Sequence, residues 1–204
     1  MGLLFDLHVH TRRYSACSAI DPVKLVARAA KMGLDGVVIT EHNRQWTPGE
    51  VASLTEQAGE PGLVVLAGFE YTSAQGDLLV YGLEAGAAAE FSPGWEPERA
   101  IERVTGLGGV CVAAHPTRAC LGFDERILTL DLVAIEVQSV NLKPHEQRLA
   151  MKLAEAAGIP AVAASDAHRV AEIGRYRTEF TQVVQSAEEL QDALKHGRFR
   201  IQAE

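Results

Sequence analysis

The chain has 204 residues, 47% hydrophobic and 23% charged, which is ordinary globular usage and enough for one full core. Its net charge of −8 argues against binding long duplex nucleic acid through a broad basic face, but not against a small phosphorylated substrate, because bound divalent cations would make a pocket locally positive. No apolar run approaches the roughly 20 residues that span a bilayer, no signal peptide precedes the first strand pattern, and Cys17, Cys111 and Cys120 form no paired framework; a reducing, cytoplasmic setting without a membrane partner is the simplest expectation.

Strand-length apolar runs alternate with helical patterns along one domain, residues 1–204, with no repeat or linker. The first strand is Leu3–Val9. A helix follows, with Asp21 as N-cap, Pro22 at its first position and Gly33 closing it after Met32. Next come a strand at Gly36–Thr40, a polar stretch with a weaker helical pattern near Gly49–Ala58, and strands at Leu63–Phe69 and Leu78–Leu83. Glu84–Pro97 reads as a rim loop, Pro97–Leu107 as a helix stopped by Gly108-Gly109, and Gly109–Ala114 and Leu132–Gln138 as strands. A helix at Pro144–Ala157, a strand at Ala161–Ala164 and a last helix opened by a Ser186–Glu189 capping box and ending before Gly197 complete the chain. The strands are continuously apolar, as expected when both faces are covered, apart from interruptions at Glu136 and Ser165. Such repeated units suggest a (β/α) barrel or a doubly wound sheet. The barrel is favoured, because the polar residues below sit at the ends of at least five strands.

Those residues are Asp6-Leu7-His8-Val9-His10, Thr40-Glu41-His42-Asn43, Gly68-Phe69-Glu70, Ala114-His115-Pro116 and Ser165-Asp166-Ala167-His168. One residue apart on a strand, His8 and His10 point to the same face, as two imidazoles gripping one ion must, and Asp166-x-His168 repeats that geometry with an oxygen and a nitrogen. Glu70 is an acid where a structural residue would be apolar, and a carboxylate bridging two metals suits it. His145, His196 and Cys111 read as structural. The chain has neither a P-loop nor a Gly-x-Ser-x-Gly elbow.

In order and spacing these motifs resemble the polymerase and histidinol phosphatase (PHP) domain family over nearly the whole chain. The resemblance implies a distorted seven-stranded (β/α) TIM-like barrel, two or three divalent metal ions (Zn, Mn or Fe) at the carboxyl end of the strands, and hydrolysis of phosphate esters by a metal-activated hydroxide. It places His8, His10, Glu70 and Asp166 on one metal, Glu70 and His115 on a second, and His42 and His168 on a third. Where the family adds an Asp or His to the third metal, this chain offers Cys17, either a ligand or a free cysteine. Where it adds a His to the second, the chain has Asp77, either a ligand or a turn cap.

Asp6 and Glu41 read as acceptors for the outer N–H of a metal-bound histidine. Arg118, Arg169, Arg13 and Arg175 are candidates to bind phosphate oxygens, with Asn43 at the rim. Glu70, Asp166, His168 and Arg118 form the expected catalytic set. The expected substrate is a small phosphorylated molecule or a short 5′-phosphorylated oligonucleotide in an open site. The rival readings are an amidohydrolase-type C–N hydrolase, against which no lysine but the loop residue Lys143 comes near a strand end, and a non-catalytic metal-binding module.

Overall fold

The structure, a computed structural model, describes residues 2–202. Its elements are β1 (Leu3–Val9), α1 (Pro22–Lys31), β2 (Gly36–His42), α2 (Pro48–Ala58), β3 (Val64–Thr72), β4 (Asp77–Tyr81), α3 (Pro97–Gly106), β5 (Val110–Ala114), β6 (Ala134–Gln138), α4 (Pro144–Ala157), β7 (Ala161–Ala163), β8 (Thr178–Phe180), α5 (Ala187–Lys195) and β9 (Phe199–Ile201). Single 3₁₀ turns lie at Ala87–Glu90, Glu125–Thr129 and Val170–Glu172.

The strands form one sheet in the order β7-β6-β5-β4-β3-β2-β1-β8-β9. It curls until its two sides meet: the His10 N–H donates to the Ala167 carbonyl at 3.1 Å, and the Ala167 N–H to the His8 carbonyl at 3.3 Å. Beside this contact β8 lies between β1 and β9 in the sheet and reaches β7 through one side chain. It pairs antiparallel with β1, and the Thr178 hydroxyl takes the place of a ladder rung by bonding both the N–H and the carbonyl of Ala163. The result is a nearly closed, barrel-like sheet of seven sequential strands plus two short ones that the sequence did not announce.

One expectation is corrected in direction. β1, β2 and β3 run parallel, as do β5, β6 and β7, but β4 is antiparallel to both of its neighbours. The functional end of the barrel therefore gathers the carboxyl ends of six strands and the amino end of β4. That reversal brings Asp77, the first residue of β4, level with Ala114 and Thr72 at the site.

Local chemistry accounts for the helices. Asp21 Oδ1 accepts the N–H groups of Val23 and Lys24 at the start of α1. α2, weak by periodicity, has a complete reciprocal box: Thr47 Oγ1 accepts the Glu50 N–H while the Glu50 carboxylate accepts the Thr47 N–H. At α5 the expected box is only half made. Ser186 caps the Glu189 N–H, but the Glu189 carboxylate accepts from Gln185 instead.

Inside the barrel, Phe5, Leu7, Val38, Leu79, Tyr81, Val112, Ala134 and Val162 form one buried cluster, joined by Leu190, Ala193 and Leu194 of α5 at the end away from the site. Burying each large aliphatic side chain contributes about 1.5–3 kcal/mol. A β-bulge then changes what β1 presents. Its register with β2 slips between Asp6 and Val9, so Phe5 and Leu7 fill the interior whereas Val9 packs outward with Ile20, Leu25 and Val26. His8 and His10 thereby face inward above the apolar plug. Gly36 is required by the same packing: a Cβ there would lie 2.1 Å from the Phe5 ring.

Candidate metal centre

The described residues contain four groups of His and carboxylate atoms close enough to hold a metal ion: His8/His10/Glu70, His8/His115/Asp166, Glu70/Asp77/His115 and His10/His42/His168. They share members and form one continuous cluster. The first group, joined by Asp166 from the second, is closely spaced. The Nε2 atoms of His8 and His10 stand 3.0 Å apart. Asp166 Oδ1 is 3.4 Å from the first and 3.3 Å from the second. Glu70 Oε1 is 3.5 Å from His8 Nε2, and Oε2 is 3.3 Å from His10 Nε2. Atoms bound at about 2.1 Å to one ion stand about 3.0 Å apart along an octahedral edge and about 3.4 Å apart along a tetrahedral one. The spacing is that of a coordination shell, and the donors are the nitrogen and oxygen types that Zn²⁺, Mn²⁺ and Fe²⁺ accept.

Glu70, wholly buried, presents its two oxygens to different partners. Oε1 lies 2.9 Å from His115 Nε2. Oε2 lies 2.8 Å from His42 Nδ1, yet has no hydrogen-bond partner in line. A buried carboxylate oxygen approached this closely without a hydrogen bond fits a bridging position between cations.

Charge follows the same logic. Burial disfavours protonated His8, but Asp166, Glu136 and Glu70 outweigh it and hold the imidazole well above its ordinary value. Burial likewise opposes ionisation of Glu70 and Asp166, and the surrounding histidines reverse that, keeping both carboxyls below the usual range. Asp77 is pushed up to about 6 by burial and by the charge of Glu70, and its Oδ2 lies 4.0 Å from His115 Nε2. His168 is lowered by burial and by His10; its Nδ1 lies 3.0 Å from the Asp166 carbonyl, which leaves Nε2 free to face the cluster.

Backbone strain marks the same place. Asn43 (φ 52°), His115 (φ 28°) and Asp166 (φ 49°) are the only non-glycine residues with positive φ among the described residues, and all three sit where a strand ends at the site. Such conformations cost about 1–3 kcal/mol each and persist only where their surroundings hold them.

The remaining candidates separate. Cys17 Sγ is 3.3 Å from His42 Nε2 at the mouth, but the ligand atoms grouped with those of His42 and His168 are those of His10. Arg118 and Arg169 line the same cavity of about 440 Å³, together with Leu121 and Asn141. Arg13 does not: it pairs with Glu50, lies 5.1 Å from the Trp46 ring centre, and borders a separate cleft. Arg175 is exposed and lies outside the residues lining the cavity. The Asn43 amide is spent on Thr72, tying β2 to β3, so it is not a rim residue.

Asp6 is also reassigned. It accepts from the Ser165 N–H and hydroxyl and from the Gly174 N–H, and touches no imidazole nitrogen. Glu41 acts one step removed, through Ser15, whose hydroxyl donates to Glu41 and lies 3.3 Å from His10 Nδ1. The acceptor that faces His8 Nδ1 directly, at 3.0 Å, is Glu136. Asn141 Nδ2 donates to both the carbonyl and Oδ2 of Asp166. Neither residue belongs to a motif. For Glu136 the available signal was an acid inside an apolar strand; for Asn141 there was none.

Residues 144–199 match a family model described as PHP-associated. An uncharacterized protein of Methanocaldococcus jannaschii, MJ1587, is 31% identical over 143 residues, 65% of this chain and 79% of its own length. A two-domain Bacteroides vulgatus protein containing a predicted PHP-like metal-dependent phosphoesterase superposes with a TM-score of 0.77 at 19% identity; the match covers 99% of this chain and 65% of that one, just under two thirds. An amidohydrolase from Chromobacterium violaceum, with bound sulfate and no metal, has a TM-score of 0.66 at 17% identity and covers 98% of both chains. At these identities the solved structures speak for the barrel alone. No described helix is long and apolar enough to cross a membrane. Taken with the shared sequence of its archaeal relative and the PHP-associated match, the motif order makes this chain a member of the PHP family.

Proposed function

We propose that the chain hydrolyses phosphate esters of small molecules or short 5′-phosphorylated nucleotides at this cluster, using two or three divalent cations. The observation that carries the reading is the coordination-shell spacing of His8, His10, Glu70 and Asp166, extended by His115 and Asp77 on one side and by His42 and His168 on the other. Cations held there would polarise a phosphoryl oxygen and acidify a water molecule near neutral pH. The protein's own residues do the rest. Buried carboxylates fix the charge of the site, and the apolar plug below excludes bulk water. Arg118, and Arg169 on the same cavity wall, would bind phosphate oxygens by charge-assisted hydrogen bonds. Leu121, 43% exposed on the same rim, offers an apolar surface to the group carrying the phosphate.

Because a charge-assisted hydrogen bond contributes about 1.5–3 kcal/mol, Arg118→Ala should lower kcat/KM by about 10- to 150-fold. Arg13→Ala and Arg175→Ala should stay within about 2-fold of the parent in the same steady-state assay, since neither residue reaches the cavity.

The second reading is a metal-dependent C–N hydrolase, favoured by the likeness to the Chromobacterium violaceum amidohydrolase. Against it, no lysine lines the cavity among the described residues, and Lys143 sits at the start of α4. One assay separates the two: Mn²⁺-reconstituted protein and a chelated control are offered phosphomonoesters, 5′-phosphorylated oligonucleotides, and cyclic amides and ureas. Chelator-sensitive phosphate release with no amide cleavage is the expected result; cleavage of amides alone would replace the proposal with its rival.

A further inference from the structure

We infer that Glu136 is a positioning residue that orients two histidines of the cluster at once, an inference that rests on the metal-centre reading above. Glu136 lies on β6, which sends no candidate ligand of its own to the site. It is wholly buried, and its strand neighbours Ile135 and Val137 pack in the core outside the barrel while it points in with Ala134. An ionised side chain in such surroundings is costly unless every oxygen is used. Here each oxygen serves a different strand.

Oε1 accepts from His8 Nδ1 at 3.0 Å. With the proton at Nδ1, the lone pair of His8 resides on Nε2, the atom that faces His10, Asp166 and Glu70. Oε2 accepts the His115 backbone N–H at 2.8 Å. His115 is one of the three residues held at positive φ, and this bond secures the peptide that brings its Nε2 to within 2.9 Å of Glu70. The two rings lie stacked, with centres 5.8 Å apart. One carboxylate thus sets the tautomer of a ligand to the first cation and the backbone of a ligand to the second. Ser15 has a comparable reach through a neutral hydroxyl, its Oγ lying 3.3 Å from both His10 Nδ1 and the His42 backbone nitrogen, whereas Asn141 donates to Asp166 and Glu41 meets His10 through that hydroxyl.

The test is Glu136→Gln. The amide keeps the shape but offers one acceptor where the carboxylate offered two, so one N–H donor is left facing an NH₂ group. Mn²⁺ affinity, read by the electron paramagnetic resonance signal of free Mn²⁺ during titration, should fall 10- to 100-fold relative to the parent. In parallel, long-range ¹H–¹⁵N correlation on the Zn²⁺-loaded parent should find His8 protonated at Nδ1. This second measurement needs no variant and decides the matter if Glu136→Gln does not fold. Mn²⁺ affinity within 2-fold of the parent, or a His8 proton on Nε2, would overturn the inference. Weakened Mn²⁺ binding in the variant, with no ester cleaved by either protein, would support the positioning role while removing the phosphoesterase reading. A parent protein that binds no Mn²⁺ would overturn both.

Discussion

Asp166→Ala and His8→Ala are each expected to cut phosphate release by at least about 1,000-fold, the equivalent of several kcal/mol of transition-state stabilisation lost with the first cation site. The geometry makes the loss cooperative. Asp166 Oδ1 lies 3.3–3.4 Å from both His8 and His10, and its backbone carbonyl also orients His168. Removing its carboxylate therefore takes the oxygen from the His8/His115/Asp166 group, and the Asn141 amide loses an acceptor. His8 belongs to two of the four ligand groups, so its loss reaches the His115 side as well. The assay is steady-state release of phosphate by Mn²⁺-loaded protein, with far-ultraviolet circular dichroism confirming that each variant is folded. Release within 10-fold of the parent by either variant would remove the cluster from the reaction.

The second large effect is on stability. Near pH 4, Asp6→Asn should cost about 3 kcal/mol, because an amide NH₂ would face N–H donors where a carboxyl oxygen now accepts them. The carboxylate accepts from Ser165 N and Gly174 N, each at 2.9 Å, and from the Ser165 hydroxyl at 2.5 Å. It ties β1 to the segments that follow β7, which is where the barrel closes. For a domain of this size the cost corresponds to a fall in Tm of roughly 6–12 °C, measurable by calorimetry. Burial pushes the Asp6 carboxyl up to about 6, against the pull of those hydrogen bonds. A carboxyl whose folded pKa lies above the free value of 3.8 favours folding fully below that value and loses its contribution as pH rises through about 6. The stability gap between parent and Asp6→Asn should therefore be widest near pH 4 and narrow towards pH 7.

What could be read from the residues alone follows physical lines. The ligands were legible because histidine and carboxylate at the ends of apolar strands have few structural uses, and because one-residue spacing fixes a shared face on a strand. The seven main strands were legible within a few residues because they are continuously apolar. β8 and β9 were not: each is three residues long, Thr178–Phe180 has a glutamate at its centre, and their existence depends on pairing with β1 and with each other. The reversal of β4 had a usable signal. Only Ser73, Ala74, Gln75 and Gly76 separate β3 from β4, far fewer than the dozen or so residues a parallel crossover needs.

The support residues were harder because their roles exist only between strands. Glu136 acquires its function from His8 on β1 and His115 after β5, and Asn141 from Asp166 after β7. Asp6 was misassigned for the complementary reason. It sits two residues from His8 in sequence, but the β-bulge sends its carboxylate sideways to Ser165 and Gly174. Arg13 shows the same limit: nearness to His10 along the chain suggested the site, whereas the turn after β1 carries its guanidinium to Glu50 and Trp46.

The most direct test of the metal-centre account is anomalous X-ray scattering at the manganese edge from crystals of the Mn²⁺-loaded protein. One peak is expected among His8, His10, Glu70 and Asp166 and a second on the His115 side of Glu70. Ordered side chains with no peak at either place, in crystals whose solution holds millimolar Mn²⁺, would contradict it.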